Sequence, residues 1–357
     1  MTDPVPVAAV GLGRWATVLA RQYTQLDEVE LVTCFTRTEE KREAFAEEFG
    51  CEADESLDDL LARDDVEAVI ITVPNDYHAE TVEAAAAAGK HAFVEKPISV
   101  TLDDAMRIQD AVEEHDVVFS VGHSCRRVGG IRKTKELIES GEIGDVSHIE
   151  AEWANERGRE LTADNWRSDE TKAPGGPLIQ LGVHQIDNLQ YLLGPVEQVF
   201  SYGKPIYTEI DNFTMTQTVL EFESGQQAYL GANWTSPGVF FINTYATEGV
   251  LFYDLDFANW SNSEDTDENS ELTLREFEEW TEDKDERKLR DVDVEVPDTN
   301  HLRDEVEEFA NAIRHDDVEP EIGAEAAMRN VAVVLAAQRS ANENRPVDVQ
   351  EIIDEAR

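Results

Sequence analysis

The chain has 357 residues, with 30 Lys and Arg against 77 Asp and Glu, a formal charge of −47. At about 150 residues per domain the length predicts two domains, and a charge of that sign excludes binding to nucleic acid or to an anionic membrane surface through clustered cations. A hydrophobic content of 41%, with six Trp and fourteen Phe, supplies a packed core and argues against disorder.

The first 125 residues alternate strand-like and helix-like patterns. Val5 to Val10 is an apolar run ending at Gly11, and residues 14–25 read as a helix. Glu30 to Phe35 is a second strand, followed by helical stretches at 38–49 and 56–63. Ala68 to Val73, the alanine-rich helix 77–89, His91 to Val94, the helix 101–115 and Val117 to Gly122 complete the series. Strands separated by helices predict a parallel sheet covered on both faces.

The pattern then changes. A helix at 129–140 and a strand at 145–153 precede a helix at 184–193. Strand-like runs follow at 196–207, 213–222, 226–235, 240–246 and 250–254, with Glu223-Ser224-Gly225 as a hairpin turn. Strands without intervening helices predict a mainly antiparallel sheet. The acidic segment 261–298 reads as a solvated excursion, and helices at 301–314 and 323–342 close the chain. The predicted organisation is therefore α/β: a dinucleotide-binding Rossmann domain over 1–125, and a second α/β domain with a large open sheet over 126–357.

The first strand–helix junction reads Gly11-Leu12-Gly13-Arg14-Trp15-Ala16. Gly11 permits the tight turn, Gly13 clears room for a pyrophosphate, and Ala16 lets the helix approach the sheet. The helix N-terminus adds unsatisfied N–H groups and a positive dipole end. This strand–turn–helix context is what a dinucleotide site requires, and Leu12, Arg14 and Trp15 belong to it. An NAD site places an acid at the tip of the second strand to hold the ribose 2′-hydroxyl. Here the tip reads Thr36-Arg37-Thr38, with Lys41 one turn on. Thr36, Arg37 and Lys41 suit a 2′-phosphate, so NADP is the expected cofactor, with NAD the alternative.

Thr72, Pro74, Asn75 and His78 follow the third strand, at the carboxyl edge where open α/β sheets bind ligands. His78 is expected to line the cofactor cleft. Glu95-Lys96-Pro97 ends the next strand, and a lysine there can steady negative charge on a substrate oxygen. Gly175-Gly176 precedes a helix in which Gln180, His184 and Asp187 fall at i, i+4 and i+7, on one face. His184 is a candidate general acid/base, and Asp187 reads equally as a site acid or a surface acid.

Taken together, these segments resemble the Gfo/Idh/MocA family of NAD(P)-dependent oxidoreductases, named for glucose–fructose oxidoreductase and inositol dehydrogenase. The resemblance runs from the Gly11 turn to 333–341, and is most specific at Glu95-Lys96-Pro97 and at Gly175-Gly176 through Asp187. It implies that Lys96 is catalytic and contacts nicotinamide and substrate, and that His184 is the acid/base. It implies also that Trp166 and Arg167 reach the cofactor, and that the second sheet joins subunits into dimers or tetramers. Arg126 and Gln180 join Lys96 and His184 as candidate substrate contacts. Many sugar and inositol dehydrogenases of the family carry Asp four residues before the His. Here that residue is Gln180, and an amide cannot relay a proton. The expected substrate is a sugar or polyol. A cyclic dihydrodiol on the same fold is the alternative, and a cofactor-binding regulator without turnover is a third reading.

Cys34, Cys51 and Cys125 show neither Cys-x-x-Cys nor Cys/His spacing, so no disulfide framework and no metal site are expected. The N-terminus lacks a basic leader, and no apolar run approaches the roughly 18 residues of a membrane span. These features predict a cytoplasmic protein. Nine Lys against twenty-one Arg, in so acidic a chain, predict a halophile's protein. Molar salt screens like charges within about 3 Å.

Overall fold

The computed structural model describes residues 3–256 and 270–357. They form two compact units. The first comprises the chain up to Ser124 with His301–Val331, and the second comprises Cys125–Asn300 with Ala332–Arg357. The sequence reading placed the whole of 126–357 in one domain. The structure instead returns residues 301–331 to the first unit.

The first unit begins with β1 (Val5–Val10), α1 (Arg14–Tyr23), β2 (Val29–Phe35), α2 (Glu39–Phe49), β3 (Glu52–Ala53) and α3 (Leu57–Leu61). It continues with β4 (Ala68–Ile71), α4 (His78–Ala87), β5 (His91–Glu95), α5 (Leu102–His115) and β6 (Phe119–Gly122). The strands pair in parallel in the order β3-β2-β1-β4-β5-β6. Because helices cover both faces, the central strands are apolar without alternation, and all four residues of β4 are buried. The order reverses between β1 and β4. In such sheets the ligand crevice opens beyond the strand ends at that switch point.

In the second unit come α6 (Gly129–Ser140), β7 (Val146–Ala154), α7 (Val183–Leu193), β8 (Val196–Lys204), β9 (Met215–Phe222) and β10 (Gln227–Asn233). Then follow β11 (Val239–Ala246), β12 (Gly249–Leu255), β13 (Ser270–Glu279) and β14 (Lys288–Asp293). After α8 (His301–Arg314), α9 (Ala324–Glu343) crosses the division at Val331, and β15 (Val347–Asp348) and α10 (Val349–Ala356) end the chain. The nine-stranded sheet runs β14-β13-β12-β11-β7-β10-β9-β8-β15, and every pair is antiparallel except β7 with β10. Burial alternates along β9, as it must where one face is covered and the other open.

Two sequence expectations change here. The acidic segment 261–298 is not a solvated excursion throughout. Its residues 261–269 lie outside the described residues, but β13 and β14 extend the sheet. Leu272 and Leu274 are buried on the covered face, while Phe277 packs on the Trp280 ring at 4.9 Å. Ion pairs Arg275–Asp291 and Arg290–Glu276 run between the two strands, so the density of charge masked a period-2 pattern. In addition, residues 301–331 carry Leu302, Val306, Phe309 and Ala310 of α8 into the core of the first unit, where Phe309 meets Phe93 at 5.9 Å.

Candidate functional site

In the first unit, the turn after β1 is fixed by its neighbours. Gly11 has φ +88°, its N–H donates to Phe35 O at 2.9 Å, and the Thr72 hydroxyl donates to its carbonyl. A Cβ on Gly11 would lie 2.6 Å from the Val73 nitrogen. Only glycine fits, because the chain leaving β4 at Thr72-Val73 packs directly against the turn. Gly13 caps α1 with no side-chain hydrogen bond, and a Cβ there would meet nothing within 4 Å. The first turn of α1 holds no acid. Open space, unpaired helix-end N–H groups and no local negative charge fit a dinucleotide pyrophosphate. Arg14 is exposed beside the turn, and Leu12 is buried beneath it.

Trp15 turns back toward β5, and its Nε1 donates to Glu95 Oε1 at 2.5 Å. The other carboxylate oxygen accepts from the Lys96 N–H at 3.2 Å. Burial pushes the Glu95 carboxyl up to about 7, against the Trp15 hydrogen bond and the Lys96 charge, which favour the ionised form. Lys96 itself is half-buried at the strand's end. The cofactor turn and the segment carrying Lys96 are thus held together by an indole–carboxylate bond that the sequence did not show.

His78 does not line a cleft, as expected from the sequence, because it is fully buried. Its Nδ1 lies 3.0 Å from Pro97 O and its Nε2 lies 3.0 Å from Val73 O. Burial pulls its pKa down, while these carbonyls act the other way. It therefore ties the loop after β4 to the residue following Lys96. Around it, Thr72 and Asn75 are half-buried and Pro74 is exposed.

At the tip of β2, Arg37 lies over the Tyr77 ring, 5.2 Å from its centroid. Thr36 is half-buried, and its carbonyl accepts from Arg42 at 3.0 Å. Lys41 points to solvent. Sequence spacing singled out Lys41 and missed Arg42, one residue further on, which shapes the turn.

In the second unit, Gly175 and Gly176 have φ of +66° and +57°, and a Cβ on Gly176 would lie 2.0 Å from Phe213 O. The helix they introduce is not uniform. Leu178–Gly182 form a π turn and only then does α7 begin. Gln180 and His184 are therefore not four residues apart on one regular α-helix, which revises the single-face expectation. Such π segments recur at functional sites. Gln180 is half-buried. His184 is buried, its ring 5.0 Å from that of Trp153 on β7.

Asp187 is wholly buried and binds Arg126 through two hydrogen bonds of 2.8 and 2.6 Å. The surface-acid alternative for Asp187 is thereby overturned. Arg126 commits its Nε and one Nη to that carboxylate, and its ring neighbour is Tyr191 at 5.2 Å. Trp166 is exposed and Arg167 half-buried, with the Arg167 guanidinium 4.2 Å from the indole centroid.

Known proteins share this design. Residues 5–123 match the oxidoreductase family with the NAD-binding Rossmann fold, Gfo/Idh/MocA, and residues 131–252 match the C-terminal domain of the same family. The chain belongs to the Gfo/Idh/MocA oxidoreductases, and its named relatives include dehydrogenases and reductases, and also hydratases. A crystal structure from Desulfitobacterium hafniense, provisionally described as an NADPH-dependent oxidoreductase, is 58% identical. It superposes with a TM-score of 0.95, over 99% of this chain and 100% of that one. An uncharacterized oxidoreductase of Streptococcus pneumoniae is 32% identical over 259 residues, covering 70% of this chain and 69% of the relative. Myo-inositol 2-dehydrogenase of Thermotoga maritima is 28% identical over 225 residues, 61% of this chain and 65% of that one. The chain thus spans about two thirds of the length of these curated relatives.

Proposed function

We propose that this protein is an NADP-dependent oxidoreductase acting on a sugar or polyol. When bound, the nicotinamide supplies the acceptor or donor of hydride. The observation that carries the reading is the division of chemistry within one chain of this family. The first unit ends a buried parallel strand in Lys96, and the second buries His184 in α7 against Trp153. His184 takes the proton from a substrate hydroxyl in the oxidising direction and returns it in the other. Lys96 donates to the reacting oxygen and so lowers the hydroxyl's effective pKa. The Trp15–Glu95 bond and the His78 contacts position Lys96. Gln180 orients a substrate hydroxyl, and Arg126 fixes α7 through Asp187.

Gly11, Leu12, Gly13, Arg14 and Trp15 receive the dinucleotide, with Thr72, Pro74 and Asn75 across the crevice. The NADP preference is supported by the absence of a carboxylate at Thr36-Arg37-Thr38, by the position of Arg37 over Tyr77, and by the description of the D. hafniense protein. Homo-oligomers form through the open face of the nine-stranded sheet. That face carries Tyr202 and Val219, exposed to 54 and 45%. The acidic, lysine-poor composition supports a salt-adapted cell as the source, and the cytoplasm is the proposed compartment. No helix among the described residues is long and apolar enough to cross a membrane.

The deciding experiment follows nicotinamide absorbance in molar KCl, with NADP and NAD, across aldoses, ketoses, polyols and a cyclic dihydrodiol. Turnover of a sugar or polyol with NADP is expected. Turnover of the dihydrodiol alone, or none at all, sinks the reading.

A further inference from the structure

In a chain with 77 acids, arginines are readily claimed. Arg21, Arg63, Arg107 and Arg314 of the first unit each pair with at least one carboxylate. Arg37, at the tip of β2, behaves differently. Exposed carboxylates stand close to it in sequence at Glu39 and Glu40, and beside Tyr77 at Asp76. Among the described residues Arg37 nevertheless makes no ion pair, and its guanidinium lies over the Tyr77 ring, 5.2 Å from the centroid.

Both partners are held from behind. The Tyr77 N–H donates to Pro74 O at 2.8 Å, and the Tyr77 carbonyl accepts from the Thr81 hydroxyl at 2.7 Å. The next residue is His78, closed in by the carbonyls of Val73 and Pro97. On the other side, the Arg42 guanidinium donates to Thr36 O at 3.0 Å and fixes the backbone from which the Arg37 side chain departs. Tyr77 thus has a fixed backbone but a side chain 37% exposed, and among the described residues no other large apolar side chain of the first unit stands so far out of the fold. The core does not need this ring, and what it covers is Arg37.

The chemistry of that cover matters. An arginine side chain free in solvent loses rotamer entropy when it grips a ligand, and stacking it beforehand removes part of that cost. A guanidinium stacked by one face keeps its N–H edge for a phosphate and its other face for a base. A carboxylate in the place of Tyr77 would also order Arg37, but it would neutralise the charge and compete with a phosphate for the same N–H groups. An aromatic ring orders the cation and leaves its charge available.

We infer that Tyr77 is a specificity-determining residue for the cofactor: its ring positions Arg37 for the 2′-phosphate of NADP and keeps the guanidinium from the neighbouring carboxylates. Tyr77 acts through Arg37, and the effect belongs to the face of the ring rather than to its hydroxyl. The inference rests on the proposed NADP preference. It adds the reason why one exposed arginine can discriminate between two dinucleotides in a chain of charge −47.

The probes are NADP and NAD, titrated calorimetrically at fixed ionic strength into the wild type, Tyr77→Leu, Tyr77→Phe, Arg37→Gln and the double variant of Tyr77→Leu with Arg37→Gln. Tyr77→Leu should weaken NADP by about fivefold, the scale of one cation–π contact, and NAD by less than about twofold. Tyr77→Phe keeps the ring and should stay within about twofold of the wild type for both dinucleotides. Once Arg37 is already Gln, adding Tyr77→Leu should change NADP affinity by less than about twofold, because the group it positions is gone. Equal weakening of NADP and NAD in Tyr77→Leu, or the same loss of NADP affinity with and without Arg37, makes Tyr77 a plain contact of the dinucleotide and overturns the inference. A wild-type preference for NADP that Tyr77→Leu leaves intact overturns the inference alone. A wild type that binds NAD as tightly as NADP overturns the cofactor reading itself, and the inference with it, before any variant is compared.

Discussion

The two units carry their polar chemistry in opposite ways. In the first, the proposed cofactor residues lie on turns at the strand ends, where Gly13, Arg14 and Arg37 are exposed. In the second, α7 is sunk in the core, and His184, Gln185, Asp187 and Asn188 are all buried. A turn site depends on backbone shape and open space. A buried polar helix depends on every group finding a partner. The contrast teaches that substitutions in the first unit should cost binding, while those in the second should cost folding as well.

The largest effect is expected from Asp187→Ala, which leaves Arg126 buried without its carboxylate. Losing one partner of a buried ion pair costs about 3–5 kcal/mol, to be read from denaturant unfolding. A change below 1 kcal/mol would break the comparison. Lys96→Met should lower kcat by about 100-fold or more, the scale of losing a group that stabilises transition-state charge. Dinucleotide affinity, measured by fluorescence titration, should stay within threefold. Unchanged activity would remove Lys96 from the chemistry.

Gly11→Ala forces a left-handed conformation and a backbone collision, so dinucleotide affinity should fall by about tenfold or more, with about 1–3 kcal/mol of strain. Arg37→Asp should weaken NADP about tenfold more than NAD, and equal weakening would show that Arg37 does not read the 2′-phosphate. The smallest effect concerns Glu95. Its folded-state pKa is raised to about 7, so the protonated form favours the native state. That stability is complete below the unfolded value, near 4.3, and is lost as pH rises toward 7. Glu95→Gln should flatten the fall in Tm over that window, and an unaltered slope would show that Glu95 does not titrate there.

The legibility of the sequence follows the same division. The parallel sheet, its order of elements and the Gly11 turn were readable because each rests on local rules: apolar runs, helix periodicity and a glycine spacing tied to a phosphate. The Trp15–Glu95 bond was not, since nothing local relates residues 80 positions apart. His78 misled because a polar residue at a sheet edge suggests a cleft, and only the fold shows the carbonyls of Val73, Pro97 and Ile98 closing on it. The π turn before α7 was hidden because helical spacing assumes 3.6 residues per turn. β13 and β14 were missed because cross-strand ion pairs fill them with the same charged residues that mark a solvated loop.

The return of α8 to the first unit sets an order on synthesis. The chain leaves that unit at Ser124 and comes back at His301, and α8 packs on α1, β1, β5 and β6. At about 5–20 residues per second, the first sheet therefore waits roughly 10–40 s for residues 125–331 to be made before its cover exists. During that interval the face built from Val7, Ala9 and Phe93 has no α8 to close it, so the N-terminal half of the nascent chain is where a chaperone has the longest opportunity to bind.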